Sequence, residues 1–202
     1  MLRMAPVAVV LVAFLAGSVP CSNLAARWAR GVDLRTVGSG TVSGTALYRV
    51  AGFPALALAG IVDVAKGALG PVLAGSDRPT LAAVAGGAAV IGHNWSPFLR
   101  GAGGRGIAPA LGALLVQAWP GAVLVLAGLV VGKAFGQTGL GGFVAEVSLA
   151  PVLLAVDGTA AAVAGLAVVM PMLVKRIMGN GPPGAPGLHP YVTRLLFDRE
   201  PA

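Results

Sequence analysis

Apolar residues fill this chain in long blocks separated by short polar islands. Stretches long enough to cross a bilayer, about 17 to 25 residues, fall near 4–26, 51–75, 80–99 and 107–131. A longer run, about 140–175, is interrupted by Asp157-Gly158. The islands at 27–50, 100–106 and 176–202 are rich in arginine, whereas Ser76-Asp77-Arg78-Pro79 and the stretch around Lys133 are poor in it. Such a Lys/Arg bias places the islands in the cytoplasm and the N-terminus outside. The pattern predicts an all-α integral membrane protein, a polytopic helical bundle with five long hydrophobic segments. It forms a single membrane domain over 1–202, with a cytoplasmic tail at 176–202.

Counting crossings produces a conflict. The islands and the N-terminus lie on opposite sides, which requires an odd number. Four segments return the chain to the outside near 132, so the last run must cross once or three times. Asp157-Gly158 instead favours a hairpin of two short helices, which would leave the tail on the wrong side.

Composition supports the membrane assignment. The chain is 56% apolar and only 10% charged, with mean hydropathy +0.86, against roughly a quarter charged in soluble domains. The net charge of +7 fits basic loops beside anionic lipid. Nucleic acid is not expected as a partner, because stacking platforms need aromatics and these are 5% of the chain. The single cysteine, Cys21, excludes an internal disulfide, and two distant histidines give a metal site no support. The first apolar run leads into Arg27, Arg30 and Arg35 without a signal-type cleavage site, so it reads as a retained helix. Most of the 31 glycines are expected to be packing residues, which let helices approach closely in lipid.

The chemistry concentrates in the islands. Val37-Gly38-Ser39-Gly40-Thr41-Val42-Ser43-Gly44-Thr45 is a small polar loop flanked by Arg35 and Arg49. Glycine backbone, hydroxyls and guanidinium groups together suit an anion, phosphate above all. Gly103-Gly104-Arg105-Gly106 opens a new apolar segment and offers a second anion-adapted turn at a helix N-terminus. Asp63 and Lys66, three apart in an apolar helix, share a face and can neutralise one another. His93 is either a base or a hydrogen-bonded residue at a helix end. Trp95 and Phe98 sit where interfacial belt residues sit. After Gly179-Asn180-Gly181-Pro182-Pro183, which cannot be regular helix, the tail reads as a short amphipathic surface helix.

Taken in order, the islands resemble the signatures of the PlsY family, the bacterial membrane acyl-phosphate:glycerol-3-phosphate acyltransferases. Gly17-Ser18-Val19-Pro20 resembles the family's Gly-Ser-Ile-Pro. Asp33-Leu34-Arg35-Thr36-Val37-Gly38-Ser39-Gly40 resembles its Asp-x-Arg-x-x-Gly-Ser-Gly, with Arg49 and Asp63-x-x-Lys66-Gly67 following in step. Gly92-His93-Asn94-Trp95 and Gly103-Gly104-Arg105-Gly106 resemble Gly-His-x-Phe…Gly-Gly-Lys-Gly. Thr41 and Ala46 stand where the family has asparagine, Ala102 and Arg105 where it has lysine. In the third signature, alignment on Arg194-Leu195 and Glu200 puts Leu188 at a histidine and Tyr191 at an asparagine, with His189 one residue late.

The resemblance implies seven helices, counting short segments, and transfer of a fatty acyl group from acyl phosphate to glycerol 3-phosphate. The product is lysophosphatidic acid, for phospholipid synthesis, and no cofactor is implied. Membrane lipid is the surrounding partner, and the bacterial inner membrane, crossed many times with polar loops in the cytoplasm, is the implied location. Ser39 and the backbone of 38–40 would cradle phosphate, including Gly38 and Gly40. Arg49 and Arg105 would hold substrate phosphate, and Gly103, Gly104 and Gly106 would shape the acyl-phosphate loop. His189 would orient the attacking hydroxyl. Arg35, Lys66, Gly92 and His93 complete the implied substrate-binding set. The rival expectation is an inactive or repurposed paralogue, such as a small-anion transporter or a scaffold subunit.

Overall fold

Prolines and glycines decide where the helices begin, break and turn back. The computed structural model describes residues 4–38, 40–183 and 186–199. α1 (Pro6–Ser18) begins with proline, which lacks an N–H that the first helical turn leaves unbonded anyway. α2 (Cys21–Arg30) ends at Gly31, whose φ of 69° closes the helix in the left-handed region. α3 (Gly44–Ala74) is capped by Ser43, whose hydroxyl accepts the Ala46 N–H at 3.2 Å. There follow α4 (Pro79–Asn94), α5 (Ile107–Gln117), α6 (Trp119–Ala134), α7 (Thr138–Met178) and α8 (His189–Phe197).

α7 is a hairpin. Gly158 has φ 84° and ψ −170°, and Glu146 meets Arg176 at 2.8 Å although 30 residues separate them. A straight helix would hold that pair about 45 Å apart. The Asp157-Gly158 interruption therefore reverses the chain, as the sequence suggests. α3 breaks similarly at Gly52 (φ 80°, ψ −175°), just ahead of Pro54.

The stretch 107–131 is a second hairpin, which corrects its reading as one crossing. Ala118 leaves helical geometry (φ −159°, ψ 69°) between α5 and α6. At the start of this pair Arg105 contacts Asp198, and beyond its end the Gly136 carbonyl accepts from Arg199 at 3.2 Å. Both ends of the pair thus lie beside the tail, and the stretch around Lys133 joins the basic islands rather than facing away from them. The helices are short, 11 and 16 residues, or about 16 and 24 Å. Counting α1 with α2 as one pass, and α7 as two, the chain makes seven passes. The conflict over the tail disappears. At the opposite end, Arg78 donates to the Met4 carbonyl at 3.3 Å, which puts the N-terminus with the turn before α4.

Small residues occupy the interior and large apolar ones the outside. Val9, Ala13, Ala85 and Ala89 pack α1 against α4, and Leu114, Leu149, Leu153 and Met172 join α5 to α7. A Cβ on Gly67 would strike Pro109, and one on Gly112 would strike Val64, so α3 and α5 approach at backbone contact. Leu11, Leu15, Ile61, Leu154 and Leu166 point outward, the arrangement expected of helices that face lipid.

Candidate functional site

The first island is held in shape by side chains that never reach the cavity. Asn23, on α2, accepts the Leu34 N–H at 2.7 Å. Leu34, Val42 and Leu47 are buried with Ala26 and Ala59 beneath the loop. Asp33 accepts from Arg27 at 2.7 Å and from Arg35 at 2.6 Å. The Arg35 hydrogen bonds hold the Asp33 carboxyl well below the usual carboxylate range, and Asp33 in turn raises Arg35. A depressed folded-state value means this stabilisation is complete above the unfolded value of about 3.9 and lost as pH falls below it. Thermal denaturation from pH 7 to 3 is expected to show a wild-type advantage over Asp33→Asn that persists to about pH 4 and then narrows.

The second island turns back on itself between α4 and α5. The Gly104 N–H donates to the His93 carbonyl at 3.2 Å, and the Val42 N–H donates to the Gly103 carbonyl at 3.2 Å. Asn180, just past α7, joins the two islands. Its Nδ2 donates to the carbonyls of Gly103 (2.9 Å) and Gly40 (3.4 Å), while its Oδ1 accepts the Gly103 N–H at 3.1 Å. Replacing Asn180 with alanine is expected to free both loops. Amide exchange over 40–45 and 102–104 should rise roughly ten- to hundredfold, the equivalent of about 1.5–3 kcal/mol.

Between the joined islands lies a cavity of about 460 Å³. Gly38, Thr41 and Ser43 line it together with Gly44, Thr45 and Ala46, the first turn of α3. Gly106, Ile107 and Ala108, the start of α5, line the facing wall. Two helix N-termini therefore converge on one space. Their unbonded N–H groups and dipole ends favour negative charge there. Arg49 and Arg105 add guanidinium groups to the same cavity. Arg49 is exposed, while Arg105 is 9% exposed and donates to the Lys175 carbonyl at 2.9 Å. Deeper in, Asp63 and His93 form the floor with apolar Gly60 and Leu111 beside them. Such a cavity can hold anionic groups at its polar wall and an apolar chain against α3 and α5.

The structure distributes the sequence-predicted residues unevenly. Gly38, Arg49, His93, Arg105 and Gly106 line the cavity. Gly40, Gly103 and Gly104 do not; they make the tight contacts between the loops and His93. The anion-facing amides of the second turn thus sit at 106–108, because those of Gly103 and Gly104 already have partners. Arg35 is turned to Asp33. Lys66 pairs with Asp63 at 2.8 Å, as its spacing suggests, and donates to the Val19 carbonyl at 2.6 Å rather than reaching the cavity. Gly92 packs against Phe14 and Ser18 of α1. His189 is exposed at the start of α8 and lines no part of the cavity. Ser39 and Glu200 lie outside the described residues. Trp95 has a duty beyond the membrane belt, since the Lys175 ammonium lies 5.3 Å from its ring centroid.

Sequence reasoning passed over Asn180 as the clamp and Asp198, and singled out Asp63 with Lys66 without setting it against His93. The Asp63 carboxylate lies 3.9 Å from His93 Nδ1, and Asp198 lies 2.6 Å from Arg105 Nε. The spacing of Asp63 and His93 carried no signal, because α3 and α4 bring them together from separate segments.

Residues 7–179 match the sequence profile described as glycerol-3-phosphate acyltransferase. A glycerol-3-phosphate acyltransferase of Myxococcus xanthus is 48% identical over 112 residues, covering 54% of this chain and 58% of that protein. One from Synechococcus sp. (strain CC9902) is 35% identical over 164 residues, covering 80% and 82%. One from Dehalococcoides mccartyi is 39% identical over 127 residues, covering 61% and 55%. The chain thus spans little more than half the length of the Myxococcus and Dehalococcoides relatives. The fold matches crystal structures of PlsY, an integral membrane glycerol 3-phosphate acyltransferase. Its glycerol 3-phosphate form gives a TM-score of 0.75 at 24% identity, covering 85% of this chain and 88% of that one. Its lysophosphatidic acid form gives 0.72 at 21%, covering 85% and 87%.

Proposed function

This chain belongs to the glycerol-3-phosphate acyltransferase family, and we propose that it transfers a fatty acyl group from acyl phosphate to glycerol 3-phosphate. The observation that carries the reading is the convergence of the α3 and α5 N-termini, with Arg49 and Arg105, on one cavity. Both substrates bear phosphate, and the cavity has two cationic walls for them. Ile107, Leu111 and Gly60 give the acyl chain an apolar surface within it.

An acyl phosphate is already activated, so alignment and charge stabilisation supply the catalysis. The sn-1 hydroxyl oxygen of glycerol 3-phosphate attacks the acyl carbonyl carbon and forms the new ester bond. The bond from that carbon to the phosphate oxygen breaks, and the hydroxyl proton leaves with the departing phosphate. Arg49 and the α3 N-terminus hold one phosphate; Arg105 and the amides at 106–108 hold the other and receive the charge of the leaving group. His93 faces the acceptor hydroxyl. The polar end of the bundle faces the cytoplasm of a bacterium, at the inner membrane, where the Lys/Arg bias puts it.

Purified protein in lipid, given acyl phosphate and glycerol 3-phosphate, is expected to yield lysophosphatidic acid and inorganic phosphate in equal amounts. Absence of both products beside an active relative would overturn the proposal. The cavity's anion-adapted wall is made by the first turns of α3 and α5 rather than by helix midpoints, which disfavours a transporter site.

A further inference from the structure

Arg105 and Asp198 pose a question that the transfer reaction leaves unanswered. A guanidinium 9% exposed needs a counter-charge whenever the cavity holds no substrate, since a buried unpaired charge is strongly destabilising. Arg49, exposed to solvent, has no such need. Asp198 supplies the charge from the tail: its Oδ1 lies 2.6 Å from Arg105 Nε, and it lines the cavity itself. To place it there the backbone adopts φ 51° and ψ 41°, a left-handed conformation rare outside glycine.

The pairing is imperfect in a telling way. Arg105 Nε makes no hydrogen bond of acceptable geometry, although the atom is buried. The contact is ionic and off-axis, so a better-aligned oxygen could replace it. A phosphate arriving at Arg105 would meet the carboxylate at close range in a poorly screened site, where two anions repel strongly.

We propose that Asp198 is the resident counter-ion of Arg105 and is exchanged for substrate phosphate, so that anion binding releases Asp198 and Arg199 from the bundle. This rests on the phosphate-binding reading of the cavity. The root of the segment stays fixed. Arg194, buried, donates to the carbonyls of Met178, Gly181 and Pro182 at 3.0–3.3 Å. Arg176 holds the Leu195 carbonyl at 3.4 Å and Phe197 packs against Gly139, so movement is confined to Asp198 and Arg199, where Arg199 donates to the Gly136 carbonyl at 3.2 Å from an exposed position. Asp198 thus closes on Arg105 when the cavity is empty and swings away when it fills.

The test uses the full chain in lipid nanodiscs with inorganic phosphate as the probe. Calorimetric titration is expected to give Asp198→Asn a Kd for phosphate lower than wild type by on the order of tenfold. Asp198→Gly, which suits the left-handed backbone, should behave alike. In the wild type, phosphate should speed amide exchange at 198 and 199; in either variant that exchange should be fast already and indifferent to phosphate. Unchanged or weaker phosphate binding in both variants would overturn the proposal, as would exchange in the wild type that phosphate slows or leaves unchanged. Acyl transfer by the wild type, measured separately, keeps the readings apart. Transfer without the affinity gain sinks only the exchange, and an affinity gain without transfer sinks only the proposed reaction.

Discussion

Arg49→Ala is expected to lower kcat/KM for glycerol 3-phosphate by about 10–10²-fold, the range for losing hydrogen bonds to a charged group, about 1.5–3 kcal/mol. The side chain is exposed and lines the cavity at the start of α3, so its removal leaves no void in the core. Protein yield and thermal midpoint should therefore stay close to wild type. Arg49→Lys should recover only part of the loss, because an ammonium cannot grip phosphate bidentately. Steady-state kinetics with acyl phosphate held saturating would measure both variants. A parallel collapse of yield and rate would mean that Arg49 holds the loop rather than the substrate.

Glu146→Ala is expected to be the most destabilising single change in the membrane-embedded part. Glu146 and Arg176 are each 2% exposed and meet at 2.8 Å across the α7 hairpin. Arg176 also donates to the carbonyls of Gly139 and Leu195 at 3.2 and 3.4 Å. Removing the carboxylate leaves a buried guanidinium without its counter-charge, which costs about 3–5 kcal/mol. The double change Glu146→Ala with Arg176→Met should restore much of that, since an apolar replacement of a buried pair is often tolerated. Denaturation in detergent micelles, compared across both variants, would check it. Equal instability of the single and double variants would show that Arg176 acts through its carbonyl contacts instead.

The overall arrangement was legible because lipid imposes it. Arginine-rich islands mark one face whatever the helices between them do, and the described residues of 27–50, 100–106 and 176–199 do meet at one end. Reversals inside an apolar stretch leave little trace, because both arms of a hairpin are as apolar as a single span. Asp157-Gly158 carries a charge and a glycine and so announced its turn. Ala118-Trp119-Pro120 carries neither, and 107–131 looked like one helix.

The candidate site was legible as chemistry and not as geometry. Glycines and arginines marked both loops, but sequence cannot tell which amides already have partners. That is why Gly103 and Gly104 serve the turn while 106–108 face the cavity. The clamp that joins the two loops comes from Asn180, through contacts spanning 77 and 140 residues. No local pattern encodes such a reach.

The backbone contact of α3 with α5 at Gly67 and Gly112 has a consequence for selectivity. Both helices line the cavity close by, α3 at Asp63 beyond its Gly52 break and α5 at 106–108, so the distance between those walls is calibrated by missing methyl groups on the same stretches. Adding a single carbon at either glycine would widen that gauge without touching the reacting atoms, and substrates would be sorted differently by a change well removed from them.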